Sequence, residues 1–143
     1  IQEIQRPTPI PDEGILADVL WSDPDPNIDY WGPNDRGETV CYGPKASRYF
    51  LKKNRLSLIV RGHQMAQDGF DFPFDPDRFV VTVFSASNYA KTYQNKAAFM
   101  NIVDTTKYSF TLLQDRVMKA RRRIPGTPRP SNTRSKNICI KEN

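Results

Sequence analysis

Leu56-Ser57-Leu58-Ile59-Val60-Arg61-Gly62-His63-Gln64 joins an apolar, β-branched run directly to a polar tetrapeptide. A short apolar run of this kind reads as a strand, which puts Arg61 to Gln64 at its carboxyl end, where open sheets often carry their chemistry. Upstream, ETVCYG (38–43) reads as a second strand. Pro44 follows Gly43 in the position of a first-turn helical proline, so a helix is expected through ASRYFLKK to about residue 53. ILADVLW (15–21) is apolar until SDPDPN stops it, giving a buried strand or a short helix, and Trp21 to Gly37 is expected to be mostly loop. Downstream, FDFPF (70–74), RFVVTVFSAS (78–87), AAFMNIV (97–103) and YSFTLLQ (108–114) read as strands between Asp, Pro and Asn turns. The expected fold class is α/β, biased toward sheet, with one secure helix near 44–53.

Composition agrees with a folded chain. Of 143 residues, 38% are hydrophobic, 26% are charged and sixteen are aromatic, enough for one core, while twelve prolines predict many loops. Cys41 and Cys139 match no metal or redox spacing and are expected to be free thiols in a reducing compartment, cytoplasmic or nuclear. No run approaches the roughly eighteen apolar residues of a membrane span. The net charge of +5 is a local matter: residues 114–143 hold nine Lys/Arg against two Asp/Glu, and the remainder is −2. Residues 1–113 are therefore expected to form the domain and 114–143 a basic, Pro/Ser/Thr-rich, disordered tail, with nucleic acid an unlikely partner. The chain opens on Ile1 rather than Met, which fits a fragment.

Three loops concentrate chemistry. Asp18, Asp23, Asp25, Asp29 and Asp35 crowd around Arg36, without the glycine and closing glutamate of a helix-loop-helix calcium site. Arg36, between Asp35 and Gly37, reads either as an anion clamp or as a surface arginine paired to an acid. His63, the one histidine, is by spacing either a metal ligand, a general base or a structural hydrogen-bonding group, and a three-histidine zinc site is excluded. Tyr89, at the end of the β-branched run, either meets a ligand or caps the sheet.

In order and identity, LWSDPD (20–25), WGPNDRG (31–37), RGHQ (61–64), DGF (68–70) and FSASNY (84–89), with NKAAFMNIVD (95–104), resemble the motifs of the phosphoprotein phosphatases, nearest to the type 1 catalytic subunit, over about residues 6–113. The resemblance implies the carboxy-terminal half of a four-layer metallophosphatase sandwich, and hydrolysis of phosphoserine and phosphothreonine by a hydroxide on two divalent ions, manganese or iron and zinc. It implies that His63 is a metal ligand, that Arg36 and Tyr89 meet the substrate phosphate, and that Asp23 orients an arginine, with Asn34 and Asp35 supporting. The family's Asp-x-His, GDxVDRG and GNHE signatures are absent, so no catalytic acid is assigned and the chain alone is expected to be inactive.

Departures also stand out. The family's SAPNYCGEFDN appears as Ser85 to Asn95 without its proline, cysteine, glycine or acids. Of the groove that takes Arg-Val-x-Phe peptides of regulatory subunits, Leu58 and Phe72 remain, whereas Thr106 and Tyr108 replace other members. The expected partners are phosphoproteins and regulatory subunits. The alternative is a truncated, non-catalytic phosphatase-like binding protein.

Overall fold

The computed structural model describes residues 2–37, 39–104 and 107–113, together with the backbone of 136–140. In chain order the elements are α1 (Ile15–Trp21), β1 (Asp23–Pro24), β2 (Trp31–Pro33), β3 (Val40–Tyr42), α2 (Pro44–Asn54), β4 (Ile59–Arg61), β5 (Phe70–Asp71), β6 (Val80–Val83), β7 (Ala97–Asp104), β8 (Lys107–Leu113) and β9 (Lys136–Ile140). The architecture is the sheet-rich α/β expected, with two helices among the described residues. It divides into two units, the first made of residues 1–63 and 72–81, the second of 64–71 and 82–143.

In the first unit β3 is the middle strand of three. It runs parallel to β1, with Asp23 opposite Cys41, and antiparallel to β2, with Gly32 opposite Cys41. The segment expected as mostly loop, Trp21 to Gly37, thus contributes two short strands. Their prolines stand at the ends of β1 and β2, the outer strands, where a missing N–H is tolerated.

Gly43 then turns the chain into α2. A Cβ there would collide with the carbonyl oxygen of Ile28, and the Gly43 N–H donates to Tyr30 O at 2.8 Å, so the 28–30 loop lies directly on the strand-to-helix junction. Pro44 opens α2 as the sequence predicts, and Arg55, left-handed at φ 55°, closes it while Leu56 N–H returns to Leu51 O. Ala46, Ser47 and Leu51 supply its buried face. Beside it Phe74 meets Tyr42 and Phe79 at centroid distances of 6.4 and 5.6 Å, and Arg48 lies 4.2 Å over the Phe79 ring while pairing with Asp77. ILADVLW is the short helix of its two sequence readings, yet only Ala17 of α1 is buried, and Ile15, Val19 and Leu20 are exposed.

The second unit is organised by β8, where Tyr108 and Phe110 are buried at period two and Thr111 joins them. It pairs antiparallel with β7, Ala97 facing Leu113 and Asp104 facing Lys107, with a register shift between Ile102 and Asp104. Phe70 stacks on Phe110 at 4.0 Å and 4°. Gly69, at φ 87°, is required twice over: its backbone is left-handed, and a Cβ would meet the Ala97 carbonyl carbon at 2.6 Å.

The other edge of β8 is taken by β9, with Tyr108 opposite Ile140 and Leu112 opposite Lys136. Lys136–Ile140 lies inside the stretch read from sequence as a disordered tail, and there the structure differs. The basic charge around it hides a short alternating segment, Asn137-Ile138-Cys139-Ile140, and β8 offers that segment a full ladder of backbone partners. Residues 114–135 and 141–143 of the expected tail lie outside the described residues.

Candidate functional site

At the end of β4 the chain places Arg61 and then His63, the latter in a left-handed conformation at φ 69°. A β-carbon makes that region costly, so the kink is held by tertiary contacts. His63 meets the edge of Trp21, the last residue of α1, at 4.9 Å between ring centroids. On its other side, Arg36 Nη1 lies 2.8 Å from His63 Nε2. A guanidinium only donates, so Nε2 is the acceptor, and the imidazole is neutral with its proton on Nδ1.

Arg36 reaches that position from the turn after β2. Asn34 Oδ1 accepts the Arg36 N–H at 3.0 Å and Gly37 N–H bonds Asn34 O at 2.9 Å, a side-chain-nucleated turn that Gly37 completes at φ 77°. Asn34 Nδ2 then donates to Asp23 Oδ2 at 3.4 Å, and Arg36 Nε stands 3.6 Å from the same oxygen.

Asp23 is the hub. Its side chain is 6% exposed, and its other oxygen accepts Arg61 Nη2 at 2.7 Å. The same Nη2 also reaches Ser22 O at 3.2 Å, tying the α1–β1 junction to the end of β4. One carboxylate thus lies between two guanidiniums, leaving an excess positive charge whose exposed end is Arg36, 50% open on its side chain. That is an arrangement for receiving an anion.

Neighbouring groups respond to the buried charge. Burial pushes the Tyr42 phenol up to about 12, with Arg61 opposing and Asp23 adding to the rise. Burial, then Asp23, Asp25 and Asp35, also raises the Cys41 thiol, which is therefore an unreactive neutral group.

The structure brings Asp23, Asn34, Arg36 and His63 together. Asp35, the other expected supporter, makes no hydrogen bond or ion pair among the described residues. Arg61 was not singled out from sequence. The available signal was a cation ending an apolar strand run, a place that demands a buried partner.

Tyr89 belongs to the second unit, in a single 3-10 turn (Tyr89–Lys91), half exposed and edge-on to Phe84 at 5.2 Å. Its loop is pinned by another residue the sequence reading passed over. Asn95, buried, accepts the Tyr89 N–H at 2.8 Å and donates to Ala86 O and Lys96 O, both at 2.8 Å. Within this loop Asn88, Ala90, Lys91 and Gln94 are all left-handed, at φ 49°, 52°, 58° and 52°. Leu58 and Phe72, the retained groove residues, are half-buried in the first unit, with Arg78 over the Phe72 ring at 5.2 Å. Thr106 lies outside the described residues.

Residues 1–67 match the calcineurin-like phosphoesterase family. A protein serine/threonine phosphatase from Saccharomyces cerevisiae, described as similar to human phosphatase PP5, superposes on the chain with a TM-score of 0.67 at 25% identity. The chain is thus similar to the calcineurin-like phosphoesterases over just under half of its length, and its fold is similar to that of a phosphoprotein phosphatase. The superposition covers 80% of this chain and 38% of the yeast one, so this chain spans well under half the length of the phosphatase it matches.

The family implies divalent metals. The donors in hand do not by themselves fit such a centre. The Nε2 of His63 is engaged by Arg36, both oxygens of Asp23 face guanidiniums, and no group of three or more His, Cys, Asp or Glu able to hold a metal occurs among the described residues. No described helix is long and apolar enough to cross a membrane.

Proposed function

We propose that this chain supplies the phosphate-gripping side of a protein serine/threonine phosphatase, with Arg36 as the ligand of the phosphoryl oxygens. The observation that carries this reading is the Asp23–Arg36–His63 cluster. A half-exposed guanidinium is fixed by a buried carboxylate on one edge and a neutral imidazole on another, so a phosphate meets donors already aimed at it. In this reading Tyr89 is a second substrate contact, and His63 can act as one metal donor only when Arg36 has left its Nε2. Because a metal centre needs several donors at once to offset dehydration, the 143-residue chain alone is inactive. The substrates are phosphoserine and phosphothreonine proteins, and the motif resemblance to the type 1 enzyme favours manganese or an iron–zinc pair and a docking surface at Leu58 and Phe72 for regulatory subunits.

The competing reading, a non-catalytic phosphatase-like binding protein, is favoured by one feature: the 84–95 loop keeps Tyr89 but carries Lys91 and Gln94 among left-handed residues where the family pattern has glycine and an acid. The test is to assay the longest protein its transcript encodes for manganese-dependent phosphate release from phosphoserine and phosphothreonine peptides. Release that falls at least about a hundredfold in Arg36→Ala supports the phosphatase. A folded protein that binds such peptides and releases nothing with any divalent ion supports the binding protein.

A further inference from the structure

The excess charge at Asp23 has a buried source. Arg61 has a side chain only 10% exposed, a deep place for a guanidinium, and it sits on the opposite oxygen of Asp23 from Arg36. We propose that Arg61 is the positioning residue for Arg36, acting through Asp23, and that the proton position on His63 reports whether it is in place. The inference deepens the reading of Arg36 as a phosphate ligand and rests on it only for the identity of the anion.

The geometry gives each group one task. Arg61 Nη2 bonds both Ser22 O and Asp23 Oδ1, so the carboxylate cannot rotate without breaking a short charge-assisted contact. With Oδ1 held, Oδ2 is presented to Asn34 Nδ2 and Arg36 Nε. Arg36 Nε so placed directs Nη1 onto His63 Nε2, which holds the ring proton on Nδ1. Without the Arg61 cation, Asp23 turns wholly toward Arg36, the over-neutralised charge disappears, and the exposed guanidinium is drawn inward and loses both its aim at His63 and its attraction for an anion.

His63 is the single histidine of the chain, so nitrogen-15 NMR of the 143-residue protein gives one imidazole signature. The expected wild-type signature is the Nδ1–H tautomer. Inorganic phosphate, used as the probe, binds the Arg36 N–H groups that face neither Asp23 nor His63 and shifts both ring nitrogens saturably. Arg61→Met is expected to release the tautomer toward Nε2–H and to weaken phosphate about fivefold or more, whereas Arg61→Lys, which keeps a cation beside Asp23 Oδ1 but not the shared bond to Ser22 O, restores part of both.

If folded Arg61→Met leaves the tautomer and the phosphate affinity within about twofold of wild type, Arg61 only holds the fold and the proposal is overturned. Should Arg61→Met not fold, Arg61→Lys decides alone: an intermediate tautomer and weakened phosphate support the proposal, and wild-type values for both overturn it. A wild type that ignores phosphate while its His63 tautomer still answers to Arg61 supports the positioning role and removes phosphate as the anion.

Discussion

The Asp23 cluster and the Ser85–Asn95 loop are held in place by opposite means. Around Asp23, full charges balance one another: two guanidiniums and an amide surround one buried carboxylate, and every contact is a side chain reaching across the sequence. The loop carries no acid at all between Ser85 and Asn95, and the neutral amide of Asn95 binds three backbone groups there. Four non-glycine residues of that loop adopt the left-handed conformation, against His63 alone at the cluster. The loop rests on backbone shape, most plainly at Lys91, which stands where the resembling family pattern has glycine and adopts a conformation suited to glycine. Charge in the first region and backbone shape in the second are therefore the features to perturb.

The largest effect is expected at Asp23. Asp23→Ala strands the Arg61 guanidinium without its carboxylate, and urea titration should show a loss of about 3–5 kcal/mol. A loss below about 1 kcal/mol would mean that Arg61 finds water instead, and the cluster would not be the charge-locked element described above.

Next comes Tyr42, whose phenol is raised to about 12. Up to pH 10 both folded and unfolded phenols hold their proton and the contribution is intact. Between about 10 and 12 only the unfolded phenol ionises, so stability should fall by about 2–3 kcal/mol across that window. Comparing wild type with Tyr42→Phe over pH 9 to 12 isolates this loss, and parallel curves would refute it.

In the second region Asn95→Ala should cost about 2 kcal/mol, since it leaves the Tyr89 N–H and two carbonyls without their partner. A cost equal to that of Asp23→Ala would erase the contrast between the regions. Smallest, and opposite in sign, Lys91→Gly should stabilise the chain by about 1 kcal/mol by removing a β-carbon from a left-handed residue. A destabilised melt would show that the Lys91 side chain contributes more than its backbone strain costs.

Much of the fold was legible locally. The proline after Gly43 located α2, the β-branched run located β4, and apolar runs between turn residues located β7 and β8. The ambiguity at ILADVLW resolved to a short helix that buries only Ala17. The two strands inside Trp21–Gly37 and the strand at Lys136–Ile140 escaped the reading, being two, three and five residues long and defined by their partners rather than by a pattern of their own. At the site, motif order singled out Asp23, Asn34, Arg36 and His63, whose side chains the structure brings together, while Arg61 and Asn95 read as unremarkable polar residues.

The sequence by itself determined that this chain carries a phosphoprotein-phosphatase motif order, that one histidine is available, and that α2 and the strands β3, β4, β6, β7 and β8 fall close to where they do. Those properties follow from side-chain identity, apolar runs and turn residues, which are local. Only the tertiary structure decided that Asp23 reaches Arg61 across 38 residues, that Arg36 meets His63 across 27 and so fixes its proton on Nδ1, and that an alanine and a lysine take a glycine-like backbone beside Tyr89. Partner choice among buried charges depends on which oxygens the packed strands turn toward which donors, and that direction exists only once the strands are in register.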